Sequence, residues 1–185
     1  VAELRRLLIE RVRLKHLVNT EKILTLKPDE SHYMRRVLRL KKGDKIAIVD
    51  GAGNLWEAIL YSNNSIKLSS PFSSPKQTKS TFKPLLGLGI VCPKQGFDEM
   101  LRMTTEIGID IIQPLQSGRS VKAINHQERN LRWENIAKEA VEQSERLWSN
   151  EIRAPLTVED WLAKQASPKN IVYFQRETIK TLRFY

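Results

Sequence analysis

The chain has 185 residues, 41% hydrophobic and 28% charged, which suits one large domain or two small ones with packed cores. No apolar run is long enough to span a bilayer, and Val1 to Arg13 mixes charge with Leu where a secretory leader needs a continuous apolar stretch. The single Cys92 excludes an intramolecular disulfide and a multi-cysteine zinc site, and the three His residues show no ligand spacing; no metal and a reducing, cytoplasmic location are expected.

The formal net charge is +10, and it is unevenly spread. Residues 1–80 hold 16 Lys+Arg against 8 Asp+Glu, a net +8; residues 81–185 hold 15 against 13, a net +2. Such a field attracts a polyanion through phosphate neutralisation and counterion release. The bland alternative is a basic surface that serves only solubility.

In chain order, Leu4 to Val12 reads as a strand and Leu24 to Leu26 as a short one. Lys27-Pro28-Asp29-Glu30 has the Pro and acids of a helix start, and that helix is expected to run to about Leu38. On a helical wheel Tyr33, Met34, Val37 and Leu38 share an anchored side, while His32, Arg35, Arg36 and Arg39 share the other. Lys41-Lys42-Gly43-Asp44 is a turn. Lys45 to Val49 and Leu55 to Leu60 form a hairpin about Asp50-Gly51-Ala52-Gly53, and Ile66 to Leu68 follows another turn. Short strands joined by tight turns suggest a small β-barrel.

Ser69 to Lys83 is rich in Ser, Pro, Thr and Lys and reads as linker. The division expected is 1–72 barrel, 73–82 linker and 83–185 α/β domain. In the last part Leu85 to Cys92 and Ile109 to Leu115 read as strands and Lys94 to Ile107 as a helix ended by Gly108. The face of that helix is Phe97, Met100, Leu101, Thr104 and Ile107. A long helix is expected from about Glu128 to Trp148, a shorter one from Thr157 to Lys164, and a third strand from Ile171 to Phe174. Alternating strands and helices imply a parallel sheet, with ligands at the carboxyl ends of its strands.

Three features carry chemistry. Arg35, Arg36 and Arg39, with His32, Lys41 and Lys42 nearby, form a cationic face that suits an RNA backbone; a solvated helix face is the competing reading. On the long helix Trp133, Ile136, Ala137, Ala140, Val141 and Leu147 make a buried stripe, and Arg132, Glu139, Gln143 and Arg146 line its shoulder. That row reads as a cleft lining or as ion pairs within the helix, such as Glu142–Arg146. The loop Gln116-Ser117-Gly118-Arg119-Ser120 follows a strand and suits a phosphate or an anionic base. The sequence contains no GxGxxG, no Walker loop, no HExxH and no nucleophile elbow.

Read together, four ordered signatures resemble one family. His32-Tyr33-Met34-Arg35-Arg36-Val37-Leu38-Arg39-Leu40, with Lys42-Gly43-Asp44 and Asp50-Gly51, is similar to the N-terminal domain of the small-subunit (16S) ribosomal RNA uridine-N3 methyltransferases. Lys94, Glu99-Met100, Thr104 to Ile109 and Gln113-Pro114 resemble its next signature, with Arg102 where Lys is commoner. Ser117-Gly118-Arg119-Ser120 follows, with Gly118 where Glu is more usual; Arg132-Trp133, Ile136, Glu139-Ala140, Gln143-Ser144 and Arg146 resemble the helix after it.

The resemblance implies an α/β protein: a PUA-like β-barrel, then a SPOUT-type domain with a C-terminal trefoil knot. It implies S-adenosylmethionine as methyl donor, a homodimer, and N3-methyluridine in small-subunit ribosomal RNA as product. The family continues with a Gly-Pro-Glu-Gly-Gly loop that helps form the knot and the cofactor pocket. This sequence stops at Tyr185 before it, so either a truncated C-terminus, the favoured reading, or a member lacking the knot is expected, and the cofactor residues are expected beyond Tyr185. Arg119 and Arg146 are the candidates to stabilise a uracil N3 anion, with Glu106 and Gln143 as positioning neighbours; Arg35, Arg36 and Arg39 would grip phosphates. The rival is a non-catalytic RNA-binding or ribosome-assembly module acting on the small subunit.

Overall fold

The computed structural model describes residues 4–19, 22–80, 85–118 and 126–165. The N-terminal part runs β1 (Arg6–Leu8), α1 (Arg11–Lys15), a 3-10 turn (His16–Asn19), β2 (Ile23–Thr25), α2 (Pro28–His32) and a π-helical turn (Tyr33–Val37). It continues with β3 (Lys45–Val49), β4 (Asn54–Ser62), β5 (Ser65–Leu68) and β6 (Gln77–Thr78). The sheet has the order β1-β3-β4-β5-β2, with β6 also on β4. Only the β1–β3 pairing in it is parallel. These pairings leave the sheet open, with β1 and β2 at its edges, rather than closing it into a ring.

Period-two alternation sends Ile46 and Ile48 of β3, and Trp56, Ala58 and Leu60 of β4, into one core with Leu7, Leu14 and Met34. Phe72 stacks on Trp56 with ring centroids 5.2 Å apart, and its carbonyl accepts the Trp56 indole N–H at 3.2 Å. The Ser- and Pro-rich run after β5 therefore packs on the sheet at Phe72 and pairs with β4 at Gln77–Thr78.

Two expectations fail in this half. The strand expected over Leu4 to Val12 is only three residues long, because the chain turns at Glu10 into α1 and buries Leu14. The helix expected to Leu38 changes character at Tyr33: the Leu38 amide donates to Tyr33 O and the Leu40 amide to Met34 O, so its last turn is wide. The phase moves with it, and Val37 is 59% exposed instead of anchored, while Met34 is fully buried.

The second part runs β7 (Gly87–Val91), α3 (Phe97–Ile107), β8 (Ile111–Gln116), α4 (His126–Gln143), β9 (Glu151–Ile152), β10 (Leu156–Thr157) and α5 (Val158–Gln165). Every pairing here is parallel, with β7 on one side of β8 and β9 and β10 along its other side. Parallel strands need crossovers, so α3 and α4 run back antiparallel to the strands. Their core is Phe97, Leu101, Ile112 and Trp133; the Phe97 and Trp133 rings lie 4.6 Å apart. Burying a side chain the size of Trp133 contributes on the order of 2–3 kcal/mol.

Gly108 ends α3 at φ +107, as its position suggests. Ile107, expected on the buried face, is 76% exposed. The long helix stops at Gln143, five residues before Trp148. Ser144 Oγ bonds back to Ala140 O, Glu145 takes φ +59, and Trp148 instead bridges Ala52 of the barrel half. The strand expected over Ile171 to Phe174 lies outside the described residues.

The glycines in the turns before and after β3 give a test. A Cβ on Gly53 (φ +91) would sit 2.6 Å from the Trp148 ring, whereas one on Gly43 (φ +94) meets nothing within 4 Å. Gly43→Ala is expected to cost about 1 kcal/mol for backbone strain alone, and Gly53→Ala about 2–4 kcal/mol, because it also pushes Trp148 off the barrel. Urea denaturation of the two variants measures the difference.

Candidate functional site

The N-terminal site is built on α2. Pro28 starts the helix, and the buried Glu30 carboxylate accepts the Lys27 amide at 2.8 Å. The same carboxylate takes both terminal nitrogens of Arg13, at 2.6 and 3.0 Å, and lies 3.9 Å from Lys138 Nζ of α4. This fork fixes α2 against α1 and against the second half of the molecule.

The wide turn after α2 carries the expected cations. His32, Arg35, Arg36, Arg39, Lys41 and Lys42 are all exposed. Arg39 holds φ +55, turning the chain into the Lys41–Asp44 turn, where the Lys41 amide donates to the Asp44 carboxylate at 2.7 Å. Among the described residues none of these six side chains has a carboxylate within 4.0 Å. Arg6, Arg11, Arg13, Lys27 and Lys76 of the same half each have one. Six cations without a carboxylate partner thus follow one another on this short stretch, with Gly43 N and Leu60 N donating to Leu60 O and Asp44 O where the turn meets β4.

The α/β half places its candidates at two ends. Gln116 and Ser117 stand at the carboxyl end of β8; Arg119, two residues on, lies outside the described residues. Glu106 and Gln143 are exposed at the last turns of α3 and α4, which end on the amino side of the strands. Arg146 lies there too, packed on Gly108 with its Cζ 2.9 Å from where a Cβ would be. The structure brings Glu106, Gln143 and Arg146 to the end of β8 opposite Ser117. The Glu142–Arg146 pair is not formed: Glu142 turns to the N-terminal half, and Arg132 pairs with Asp98 of α3.

Sequence reasoning missed Glu142. It is buried, its Oε1 accepts the Leu8 amide of β1 at 2.8 Å, and burial pushes its pKa from 4.5 up to about 7. Asn135, Lys138, Glu139, Tyr33 and Glu30 line a groove of about 190 Å³ beside it. Burial likewise pushes the Tyr33 hydroxyl up. A second groove of about 280 Å³ lies where Arg6 and Lys79 face Arg146 and Trp148. Nothing in the local pattern Glu139-Ala140-Val141-Glu142 marks which glutamate turns inward, because the answer depends on a strand 134 residues away.

Residues 81–183 match the family model described as an RNA methyltransferase domain, and residues 26–68 match that of the RNA methyltransferase PUA domain. The chain belongs to the RNA methyltransferase family. The ribosomal RNA small subunit methyltransferase E of Synechocystis sp. is 37% identical over 155 residues, covering 82% of this chain and 49% of that protein. The protein of the same name from Buchnera aphidicola subsp. Schizaphis graminum is 26% identical over 181 residues, covering 94% and 72%. This methyltransferase-family chain thus spans about half the length of the Synechocystis relative.

The fold is similar to solved structures. A probable rRNA-methyltransferase from Porphyromonas gingivalis has a TM-score of 0.65 at 24% identity, over 94% of this chain and 70% of that one. The ribosomal RNA small subunit methyltransferase E from Neisseria gonorrhoeae, bound to S-adenosyl methionine, has a TM-score of 0.63 at 21% identity, over 90% and 67%. The expected α/β architecture, a PUA-like unit followed by a SPOUT-type unit, is the fold of this family member.

Among the described residues, the carboxyl ends of β7, β8 and β10 hold no buried side-chain polar atom lacking a partner that would mark a cofactor seat. The two grooves both sit at the joint between the halves, and the buried polar atoms lacking a partner, Ser31 Oγ and Asn150 Oδ1, are not at those strand ends.

The joint yields a pH prediction. Glu142 binds its proton more tightly folded than unfolded, so the folded state holds an extra proton between about 4.5 and about 7. Stability should therefore fall as pH rises through that window. Glu142→Gln, which keeps an acceptor for the Leu8 amide, should flatten this dependence. Melting temperatures of the two proteins across pH 4.5–7.5 check it, other carboxylates contributing equally to both curves.

Proposed function

We propose that this chain grips small-subunit ribosomal RNA through the turn that carries Arg35, Arg36 and Arg39, and that the protein it represents methylates N3 of a uridine there. The observation that carries the RNA grip is the succession of six exposed cations without carboxylate partners on one short stretch of chain, His32 to Lys42. The uridine and small-subunit assignment rests on the four sequence signatures and on the names of the relatives. A ribosomal substrate implies a cytoplasmic site of action. No helix of the described residues is long and apolar enough to cross a membrane.

We read 1–72 as the RNA-gripping PUA-like unit, 73–82 as the joining stretch that lies along β4 through Gln77–Thr78, and 83–185 as the methyltransferase unit. S-adenosylmethionine supplies an already activated methyl group, so the chain's own task is to hold the uracil and stabilise its N3 anion. Arg119, just past the carboxyl end of β8, suits that role. Glu106, Gln143 and Arg146 lie at the other end of the strand, so within one chain they do not share a uracil with Arg119. A homodimer is part of the reading: Met103 and Ile107 of α3 are apolar and exposed.

Two measurements test this. Arg36→Ala should weaken binding to a small-subunit RNA fragment by ~3–10-fold near 0.1 M salt and reduce the slope of log K against log salt by about 0.7–0.9. An affinity loss with an unchanged slope would make Arg36 structural. Incubation with S-adenosylmethionine and small-subunit RNA lacking the modification should yield N3-methyluridine in nuclease digests. Tight RNA binding with no methylated uridine would favour the assembly-module reading.

A further inference from the structure

The groove between the two halves has a composition that the RNA-gripping turn does not account for. Its walls carry Arg6 from β1, Lys79 just after β6, and Arg146 and Trp148 from the segment after α4. Glu145 is the one carboxylate among its lining residues, and it is occupied: Arg6 donates to both its side chain and its backbone carbonyl. The lining therefore has three cations and one anion.

Arg146 is the unusual member. It is half-buried, and its guanidinium has no hydrogen-bond or ion-pair partner among the described residues. Five N–H donors held partly out of water without an acceptor are costly, so a site that supplies one is favoured. The backbone makes room for them. Gly108 lies directly against the guanidinium, and its φ of +107 and missing Cβ let the side chain lie flat there. The Trp148 indole, its N–H donating to Lys79 O at 2.9 Å, also lines the groove.

We propose that this groove seats a phosphodiester of the RNA, with Arg146 as its main ligand and Lys79 as a second cation. The inference rests on the reading that the protein binds RNA, and adds a contact at the joint remote from Arg35, Arg36 and Arg39. A groove of about 280 Å³ that opens to solvent accommodates a phosphate with part of its sugars. A guanidinium binds phosphate with paired N–H donors, which a lysine ammonium does not reproduce. The contact also couples recognition to architecture, because the seat exists only while the barrel and the end of α4 are docked.

The test uses the whole protein with a small-subunit RNA fragment, and separately with inorganic phosphate. Arg146→Ala should weaken RNA binding about five-fold and lower the salt slope by roughly one phosphate, additively with Arg36→Ala. Arg146→Lys should recover part of the affinity. The Trp148 indole N–H resonance, assigned with Trp148→Phe, should move on RNA addition to the wild type and stay still in Arg146→Ala. An unchanged melting temperature for Arg146→Ala separates binding from folding. If Arg36→Ala weakens binding while Arg146→Ala leaves affinity and slope unchanged, the seat is wrong and the RNA reading stands. If neither variant changes binding, both are wrong. An indole shift with inorganic phosphate but not with RNA overturns the assignment to a nucleic-acid phosphate. Loss of methyl transfer in Arg146→Ala at unchanged RNA affinity overturns it in favour of a catalytic arginine.

Discussion

The buried Glu142 carboxylate on the Leu8 amide is the interaction on which the arrangement of this molecule depends. β1 is an edge strand, and an edge strand leaves backbone donors and acceptors that need covering. Glu142 satisfies one such donor with a side chain from the far end of α4. Once α4 ends there, Leu147 and Trp148 fall onto the outer face of β3, and Ala47 and Val49 are buried on a side that would otherwise face water. The same docking brings Arg6 to Glu145 and Lys138 to Glu30. A carboxylate with a raised pKa is a costly way to close a joint. Leu147 and Trp148 add apolar burial against Ala47 and Val49 at the same joint, and an apolar substitute for Glu142 would leave the Leu8 amide without an acceptor.

Some basic residues of the N-terminal half serve the fold and others face solvent. Arg13 and Lys27 are tied to carboxylates and hold α1, α2 and the strands together. Those on the wide turn and the following tight turn project from a backbone that is itself well fixed, by Met34 in the core and by the pairing of Gly43 and Asp44 with Leu60. A rigid support with free cations is a phosphate-gripping device, because little side-chain order remains to be lost except in the arginines themselves. The net charge of the half overstates the grip, since much of it is neutralised locally.

The parallel sheet imposes a second constraint. Helices that cross over between parallel strands start at the strands' carboxyl ends and finish at their amino ends. Residues late in α3 and α4 are therefore carried away from the loop after β8. Glu106, Gln143 and Arg146 are separated from Ser117 by the length of a six-residue strand, although all appear in one run of family signatures. Of the three, Arg146 lines the groove where the halves join.

The sequence by itself determined the two-part α/β architecture, the strand pairs about Asp50–Gly53, the cationic turn and the family. Each of these is written in local periodicity, turn chemistry or ordered motifs: Ile46 and Ile48 alternate, Gly43 and Gly53 take positive φ, and Arg35, Arg36 and Arg39 are close in the chain. Only the tertiary structure decided where α2 widens, leaving Val37 in solvent, where α4 stops, and which glutamate of Glu139 and Glu142 is buried. It also decided that Arg132 reaches Asp98 of α3 and that Trp148 belongs to the joint rather than to a helix. These outcomes turn on contacts between residues dozens to more than a hundred positions apart. Burial and pairing there outweigh the few tenths of a kcal/mol per pair that helical spacing alone supplies.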